Sequence, residues 1–170
     1  VSIEGKNGEI LESPIELNLW RAPTDNDRNV KSEWIMCRYY EIFSEVRRVD
    51  VENNVVRFTG HIAPVKLEPV SSYTLTYEFY DNAVSVKIDY EFASYAKSPP
   101  RVGLKTKLSK KFDKVKYYGF GPYEAYIDKR IASVKDVYED KVKDLMVSYV
   151  RPQENGSHYD CDYVELGNSQ

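Results

Sequence analysis

Two stretches of the sequence concentrate side chains that could bind a polar ligand. The first begins at Trp20 and Arg21 and continues to Asp25, Asn26 and Asp27. One guanidinium beside two carboxylates can hold sugar hydroxyls by paired hydrogen bonds, and the indole offers an apolar face for the ring. Two alternatives stay open. The acidic residues can form Asx turns with the arginine paired to one of them, or bind a metal ion that would need further oxygen ligands.

The second stretch, residues 149–158, is the densest run of hydrogen-bonding side chains in the chain. Glu154, Asn155 and His158 supply a carboxylate, an amide and an imidazole, groups that also bind sugar hydroxyls. The alternative is a polar loop after a strand that ends at Val150, with Asn155 and Gly156 at positive φ values. Asn155 also opens an Asn-Gly-Ser tripeptide that matches the N-glycosylation acceptor pattern, a weak signal at three residues.

A third stretch, residues 117–126, contains Gly119 and Gly121 among aromatic residues. The glycines do not join a parallel strand to a helix, so this is not a dinucleotide-binding loop. We expect a tight, aromatic-lined turn. Local ion pairs are expected beside it, with Glu124 and Asp128 as the acids and Lys129 and Arg130 as the bases.

Charge and cysteine content exclude several classes of protein. The 24 Lys and Arg residues and 27 Asp and Glu residues are interspersed and leave a net charge of -3, which argues against nucleic-acid or anionic-membrane binding. No run approaches the roughly 20 apolar residues of a membrane span. Two cysteines and two histidines exclude zinc-finger and disulfide-dense scaffolds. A Cys37–Cys161 bridge is possible, but two free thiols are expected.

Period-two alternation places these stretches on β-strands and their loops. Apolar residues alternate with polar ones over residues 73–79 and again over 84–92, with Asp81 and Asn82 between, which predicts an antiparallel hairpin with one buried face. Further strands are predicted near 49–51, 56–58, 102–108, 115–118, 131–138 and 145–150. About eight strands without intervening helices are typical of a large antiparallel sandwich. One domain over residues 1–170 is the economical interpretation.

One segment departs from the strand pattern. Ser32 is a plausible N-cap, and apolar residues then recur at helical spacing, so a short helix is predicted near residues 32–43. The last residues, 164–170, resemble the beginning of a strand. We therefore expect the chain to stop before its fold is complete.

Taken together, three motifs resemble the C-terminal small-chain domain, the fifth domain, of family 2 glycoside hydrolases of the beta-galactosidase type. R-A-P-x-D-N-D occurs at residues 21–27, G-x-G-P-x-E-N-Y-x-D-R at 119–129 and P-x-E-N-G at 152–156. The combination is specific, whereas each motif alone is not. Two positions depart from the pattern, because Ala125 replaces the usual Asn and Lys129 the usual Arg. The resemblance covers the chain from about residue 10 to its end.

The resemblance implies a supersandwich of two large antiparallel sheets, similar to the galactose-mutarotase fold, in part of a beta-galactosidase. In that family both catalytic glutamates belong to a (β/α)8 barrel, as does the Mg²⁺ and Na⁺ binding of many members. We therefore expect no catalytic residue, metal site or cofactor in this fragment, which would shape the site for a β-galactoside. The family's loop near the active-site mouth corresponds to residues 28–33 and is short here. The expected substrate-binding residues, gathered on one side of the sandwich, are Arg21, Asp25, Asn26, Asp27, Glu154, Asn155 and His158.

The expected partners are the catalytic barrel of the same enzyme, a β-galactoside and, at full length, further copies in a homo-oligomer. The compartment stays open between bacterial cytoplasm and periplasm. Two other functions are also open. An interface module would join domains without touching sugar, through exposed strand edges and Tyr-rich surface. A mutarotase-like enzyme would need positioned bases, for which His61 and His158 are the candidates; His61 is more simply a packed or edge histidine.

Overall fold

The computed structural model describes residues 3–5 and 8–168. Strands dominate, with one short α-helix, α1 (Lys31–Met36), and 3-10 helices at Asp25–Asn29, Tyr39–Glu41 and Val142–Leu145. In the part of the chain that the structure describes, no helix has the length and apolar character needed to cross a membrane. The strands of the described residues are β1 (Glu4–Gly5), β2 (Gly8–Glu9), β3 (Glu16–Asn18), β4 (Ile42–Glu52), β5 (Val55–Pro64), β6 (Ser71–Phe79), β7 (Val84–Phe92), β8 (Gly103–Lys105), β9 (Lys114–Gly121), β10 (Val134–Lys141) and β11 (Tyr163–Gly167).

The chain divides into two compact units, and every strand pair in them is antiparallel. The unit Glu16–Lys105 contains a four-stranded sheet of order β4-β5-β6-β7 and the pair β3-β8. The other unit joins Val1–Ile15 to Thr106–Gln170 and contains the sheet β10-β9-β11 and the pair β1-β2. The predicted antiparallel all-β class is confirmed.

The hairpin of β6 and β7 follows the predicted alternation. Tyr73, Leu75 and Tyr77 are buried, whereas the intervening Thr74 and Thr76 are half-buried. Each of these three residues lies opposite an apolar residue of β7, in the pairs Tyr73–Tyr90, Leu75–Ile88 and Tyr77–Val86. One face of the four-stranded sheet is therefore apolar, and the other carries charged and hydroxyl side chains.

An irregularity in β4 keeps its valines on the apolar face. Val46 and Val49 are three residues apart, a spacing that would place them on opposite faces of a regular strand. The register shifts between Val46 and Arg48, so that Arg47 is an extra residue opposite β5. Val46 then pairs with Gly60 and Val49 with Phe58, both on the apolar face.

The predicted helix over residues 32–43 is wrong in its second half. Helix α1 ends at Met36, and Arg38 adopts a left-handed conformation with φ of 53° that breaks the helical path. A single 3-10 turn follows, and Phe43 then pairs with Ala63 of β5. The apolar residues at helical spacing therefore belong to two elements, α1 and the start of β4. In β4, pairing with β5 outweighs the local helical periodicity.

Two further predictions fail in the unit that contains β9. Residues 145–150 form no strand: a 3-10 helix, Val142–Leu145, comes first, and irregular backbone follows. Gly119 and Gly121 do not form a turn but lie in β9, on its buried side with Tyr117. A Cβ atom at Gly121 would lie 2.5 Å from the Tyr117 hydroxyl oxygen, so close packing accounts for this glycine.

The strand expected within residues 164–170 is present as β11, which pairs with β9. Ser169 and Gln170 lie outside the described residues. The Cys37 and Cys161 side chains are half-buried free thiols.

Candidate functional site

The first polar stretch is organised by a paired contact between Arg21 and Asp27. Arg21 Nη1 donates to Asp27 Oδ2 at 2.5 Å, and Nη2 donates to Oδ1 at 3.0 Å. The backbone N–H and hydroxyl of Thr24 also donate to Oδ2, at 2.6 and 2.9 Å. The Asp27 carboxylate therefore joins Arg21 and Thr24, which lie on either side of Pro23.

Burial and hydrogen bonding act in opposite directions on Asp27. Partial burial alone would raise its pKa, but the hydrogen bonds from Arg21 and Thr24 outweigh that effect and lower the pKa below the usual 3.8. Asp27 is therefore a carboxylate at neutral pH, and its charge is neutralised locally by Arg21.

The residues that follow the Arg21–Asp27 pair are helical and do not form an open loop. Asp25 and Asn26 begin the 3-10 helix Asp25–Asn29 with exposed side chains, and α1 follows almost directly. The buried ring of Trp34 in α1 lies under the Arg21 guanidinium, whose central carbon is 5.2 Å from the ring centroid. The segment 28–33, expected to be a short loop, thus runs from the end of a 3-10 helix into α1.

In the other unit, the buried carboxylate of Glu124 connects two loops. Its Oε1 accepts hydrogen bonds from Lys129 Nζ at 2.9 Å and from the Tyr149 hydroxyl. Its Oε2 accepts from the backbone N–H of Gly156 at 3.1 Å. Lys129 Nζ also donates to the Tyr149 oxygen at 3.1 Å. The expected Glu124–Lys129 pair is confirmed, and two more donors come from the second polar stretch.

Asn155 is engaged with the backbone of Val147. Its Oδ1 accepts a hydrogen bond from the Val147 N–H at 2.8 Å, and its Nδ2 donates to the Val147 carbonyl oxygen. This side-chain amide replaces a strand partner for one residue of an irregular segment. The next residue, Gly156, has the predicted positive φ of 70°, but Asn155 does not, and residues 152–159 contain no turn.

His158 is packed against Tyr117, with ring centroids 4.5 Å apart. Both imidazole nitrogens and the Tyr117 hydroxyl are buried without a hydrogen-bond partner in the described part of the chain. Burial lowers the pKa of His158 below 6.5, although the Phe120 backbone and nearby carboxylates oppose the shift. Burial likewise raises the pKa of Tyr117 to about 12. The imidazole is therefore neutral at pH 7.

Comparison with known proteins identifies the family. The whole chain, residues 1–170, matches the family described as "Beta galactosidase small chain". The chain belongs to the beta-galactosidase small-chain family. Its curated relatives named "Beta-galactosidase" include those of Staphylococcus xylosus, 37% identical over 97% of this chain, and Actinobacillus pleuropneumoniae, 33% identical over 98%. The relative from Lactobacillus delbrueckii subsp. bulgaricus is 31% identical over 98%. The chain spans 17% of the length of each of these relatives.

Both departures from the motif of this small-chain family are accommodated locally. Ala125 is fully buried, and its backbone N–H donates to the Ser157 carbonyl oxygen at 2.7 Å. Its methyl side chain has no polar role there. Lys129 replaces the usual Arg and still supplies the cation beside Glu124. One charge and one hydrogen-bond donor at that position are sufficient for the contact seen here.

The predicted site residues of this small-chain domain fall into two groups. Arg21 and Asp27 are in direct contact, with Asp25 and Asn26 on the adjoining helical turn; Glu154, Asn155 and His158 share one half-buried loop. Their contact with a sugar, and the convergence of the two groups, stay predictions. Among residues 3–5 and 8–168, no three His, Cys, Asp or Glu side chains are placed to hold a metal ion.

The sequence alone does not indicate that Glu124 is the centre of a hydrogen-bond network. Its partners Tyr149 and Gly156 are 25 and 32 positions away, so spacing along the chain gives no indication of them. A usable signal was present in the motif itself. An acid follows the buried end of a strand, where an ionised side chain requires several donors.

Proposed function

We propose that this chain is a non-catalytic part of a beta-galactosidase that hydrolyses terminal β-D-galactosides with retention of configuration. The supporting observation is the match over residues 1–170 to the small-chain family, with relatives named beta-galactosidase that are about six times longer. Retaining hydrolysis needs two carboxyl groups about 5 to 5.5 Å apart. In our proposal that pair belongs to a barrel elsewhere in the polypeptide.

The role proposed for this segment is to shape the galactoside site through its two polar loops. Each is held in one conformation, by the Arg21–Asp27 pair in one loop and by the Glu124 contacts in the other. Rigid loops on a β-scaffold are a common way of building a binding site. The exposed Asp25 and Asn26 and the half-buried Glu154 are the side chains proposed to face the sugar.

The test uses the complete enzyme that contains this segment. Asp27→Ala and Glu154→Ala are compared with Asp89→Ala, a matched control on the polar face of the four-stranded sheet. We expect the first two to lower kcat/KM by about tenfold, far less than loss of a catalytic glutamate, because only the shape of the site changes. The control should keep wild-type kinetics. If kcat/KM falls only in proportion to thermal stability, the residues have no role at the site.

A second function, as an interface module without sugar contact, is favoured by a different observation. Arg21, Asp27 and Asn155 are engaged in internal contacts. Apolar side chains at the edge of the four-stranded sheet are meanwhile exposed: 51% for Val49 and 72% for Val51. Under this alternative, polar substitution of the valines weakens assembly of the enzyme, while Glu154→Ala leaves kcat/KM unchanged.

A further inference from the structure

The segment that carries Glu154, Asn155 and His158 has no regular secondary structure. From Met146 to Asp162 the backbone forms neither helix nor strand. Its conformation therefore depends on contacts with neighbouring elements, since ladder hydrogen bonds cannot hold it. Such contacts include those of Tyr149 and Gly156 with Glu124, whereas Asn155 binds the Val147 backbone within the segment itself.

Of these contacts, those of Glu124 hold two separate points of the segment. The side chain is 1% exposed, and its two oxygens accept from one local donor, Lys129, and from two donors of the irregular segment. A buried carboxylate without its donors is costly, so segment and carboxylate must stay together. Tyr149 and Gly156 lie on either side of Glu154 in sequence. One anion therefore fixes the segment at two points that bracket Glu154 and Asn155.

Two neighbouring contacts extend this attachment. The Ala125 N–H donates to the Ser157 carbonyl oxygen at 2.7 Å, and the Phe120 N–H donates to the Tyr159 carbonyl oxygen at 3.1 Å. These backbone contacts align residues 157–159 with the end of β9. Gly156, with a positive φ of 70°, lies between the aligned part and the part bound through Tyr149.

We propose that Glu124 is a positioning residue, whose buried carboxylate holds residues 147–158 in the conformation that presents Glu154. Its consequence for catalysis rests on the function proposed above; its consequence for the segment does not. Displacement of the segment would weaken ground-state and transition-state binding together. The complete enzyme should then show a higher KM and a nearly unchanged kcat.

The experiment compares Glu124→Gln, Tyr149→Phe and Lys129→Arg in the complete enzyme. Glutamine keeps the shape but turns an N–H₂ group toward a donor whichever way the amide is placed. Phenylalanine removes only the phenol donor, and arginine keeps the cation. The matched control is Glu165→Gln, an exposed acid on β11 that lies 3.9 Å from Lys116.

The first readout is hydrogen exchange followed by mass spectrometry. We expect amides of 147–158 to exchange about tenfold faster or more in Glu124→Gln, less so in Tyr149→Phe, and at the wild-type rate in Lys129→Arg and the control. Unchanged exchange in both Glu124→Gln and Tyr149→Phe overturns the proposal. So does an increase of equal size across β9 and β10, which would indicate a role in general stability. If Glu124→Gln does not fold, Tyr149→Phe decides by the same criterion.

The second readout is the split between KM and kcat on a chromogenic β-galactoside. A several-fold rise in KM with kcat nearly constant, in step with the exchange rate, supports both the positioning role and the site-shaping function. Faster exchange in 147–158 with unchanged KM and kcat supports the positioning role and overturns the function proposed for this loop. The two failures are thus distinguishable.

Discussion

The sulfur of Cys161 occupies the space into which a side chain at Gly119 of β9 would project. A Cβ atom at Gly119 would overlap Cys161 Sγ and would lie 3.1 and 3.3 Å from the Cα and Cβ of that cysteine. The first glycine of the G-x-G pair is therefore required by the loop that packs on the strand, since its backbone is in the ordinary strand region.

This contact predicts a non-additive pair of substitutions. Gly119→Ala should destabilise the chain by about 1 to 3 kcal/mol through overpacking, whereas Gly119→Ala with Cys161→Ala should recover most of that loss, because the overlapping sulfur is gone. Urea unfolding of the wild type, both single variants and the double variant measures the coupling. Strictly additive effects would show that the loop moves away freely from the strand.

The Arg21–Asp27 pair predicts stability that is lost in acid. Because the pKa of Asp27 is lowered in the folded state, the unfolded chain takes up a proton more readily as the pH falls. The contribution is present above about pH 4 and is lost as the pH falls through the lower, folded-state value. We expect Asp27→Asn to cost about 2 kcal/mol at pH 7 and to flatten the acid limb of the stability profile.

The control for this experiment is Glu52→Gln, which removes an exposed acid 3.6 Å from Arg57. Exposed pairs contribute little, so the control should retain the wild-type acid limb. If the stability of Asp27→Asn changes with pH in parallel with that of the wild type, the acid dependence does not come from Asp27.

His158 predicts a separate dependence at higher pH. Burial lowers its pKa from 6.5, so below that value the unfolded chain binds a proton that the folded chain resists. Stability should therefore decrease as the pH is lowered from about 6.5 toward the folded-state pKa. His158→Gln should remove this component, whereas His61→Gln, on the polar face of the four-stranded sheet, should retain it. Thermal melts between pH 7.5 and 5 make the comparison, and an unaltered slope in His158→Gln would refute the prediction.

The isolated 170-residue chain should not hydrolyse a chromogenic β-galactoside. In the function that we propose, the catalytic glutamate pair belongs to a barrel outside this segment, and retaining hydrolysis requires such a pair. The assay uses protein purified from a host that lacks its own galactosidase, with the complete enzyme as the positive control. Reproducible turnover that depends on this chain would overturn the proposal that this segment is non-catalytic.

The exposed valines of β4 predict self-association of the isolated chain. Val46, Val49 and Val51 share the apolar face and are 50, 51 and 72% exposed. Contiguous exposed apolar surface promotes association, so sedimentation should detect dimers or larger species at high concentration. Val49→Thr with Val51→Thr should lower that fraction while keeping β-branched side chains. Val102→Thr, equally exposed but outside the named strands, is the control, and a monomer at all concentrations would disprove the prediction.

The sequence by itself determined the family and the strands with strong local patterns. Three motifs in order identified the beta-galactosidase resemblance, because each requires particular residues at particular spacings. The alternation over β6 and β7 determined a hairpin with one buried face, since successive side chains of a strand point to opposite sides. The positive φ of Gly156 was also predictable, because glycine adopts that conformation without steric cost.

Only the tertiary structure decided which elements the ambiguous segments joined and where the polar side chains found partners. Residues 39–43 have helical periodicity, but Ile42 and Phe43 pair with β5. The stabilisation from that pairing cannot be read from the local sequence. Glu124 binds donors 25 and 32 positions away because a buried charge takes whichever donors the fold brings to it. Local spacing governs turns and strand faces, whereas long-range burial governs the partners of buried polar groups.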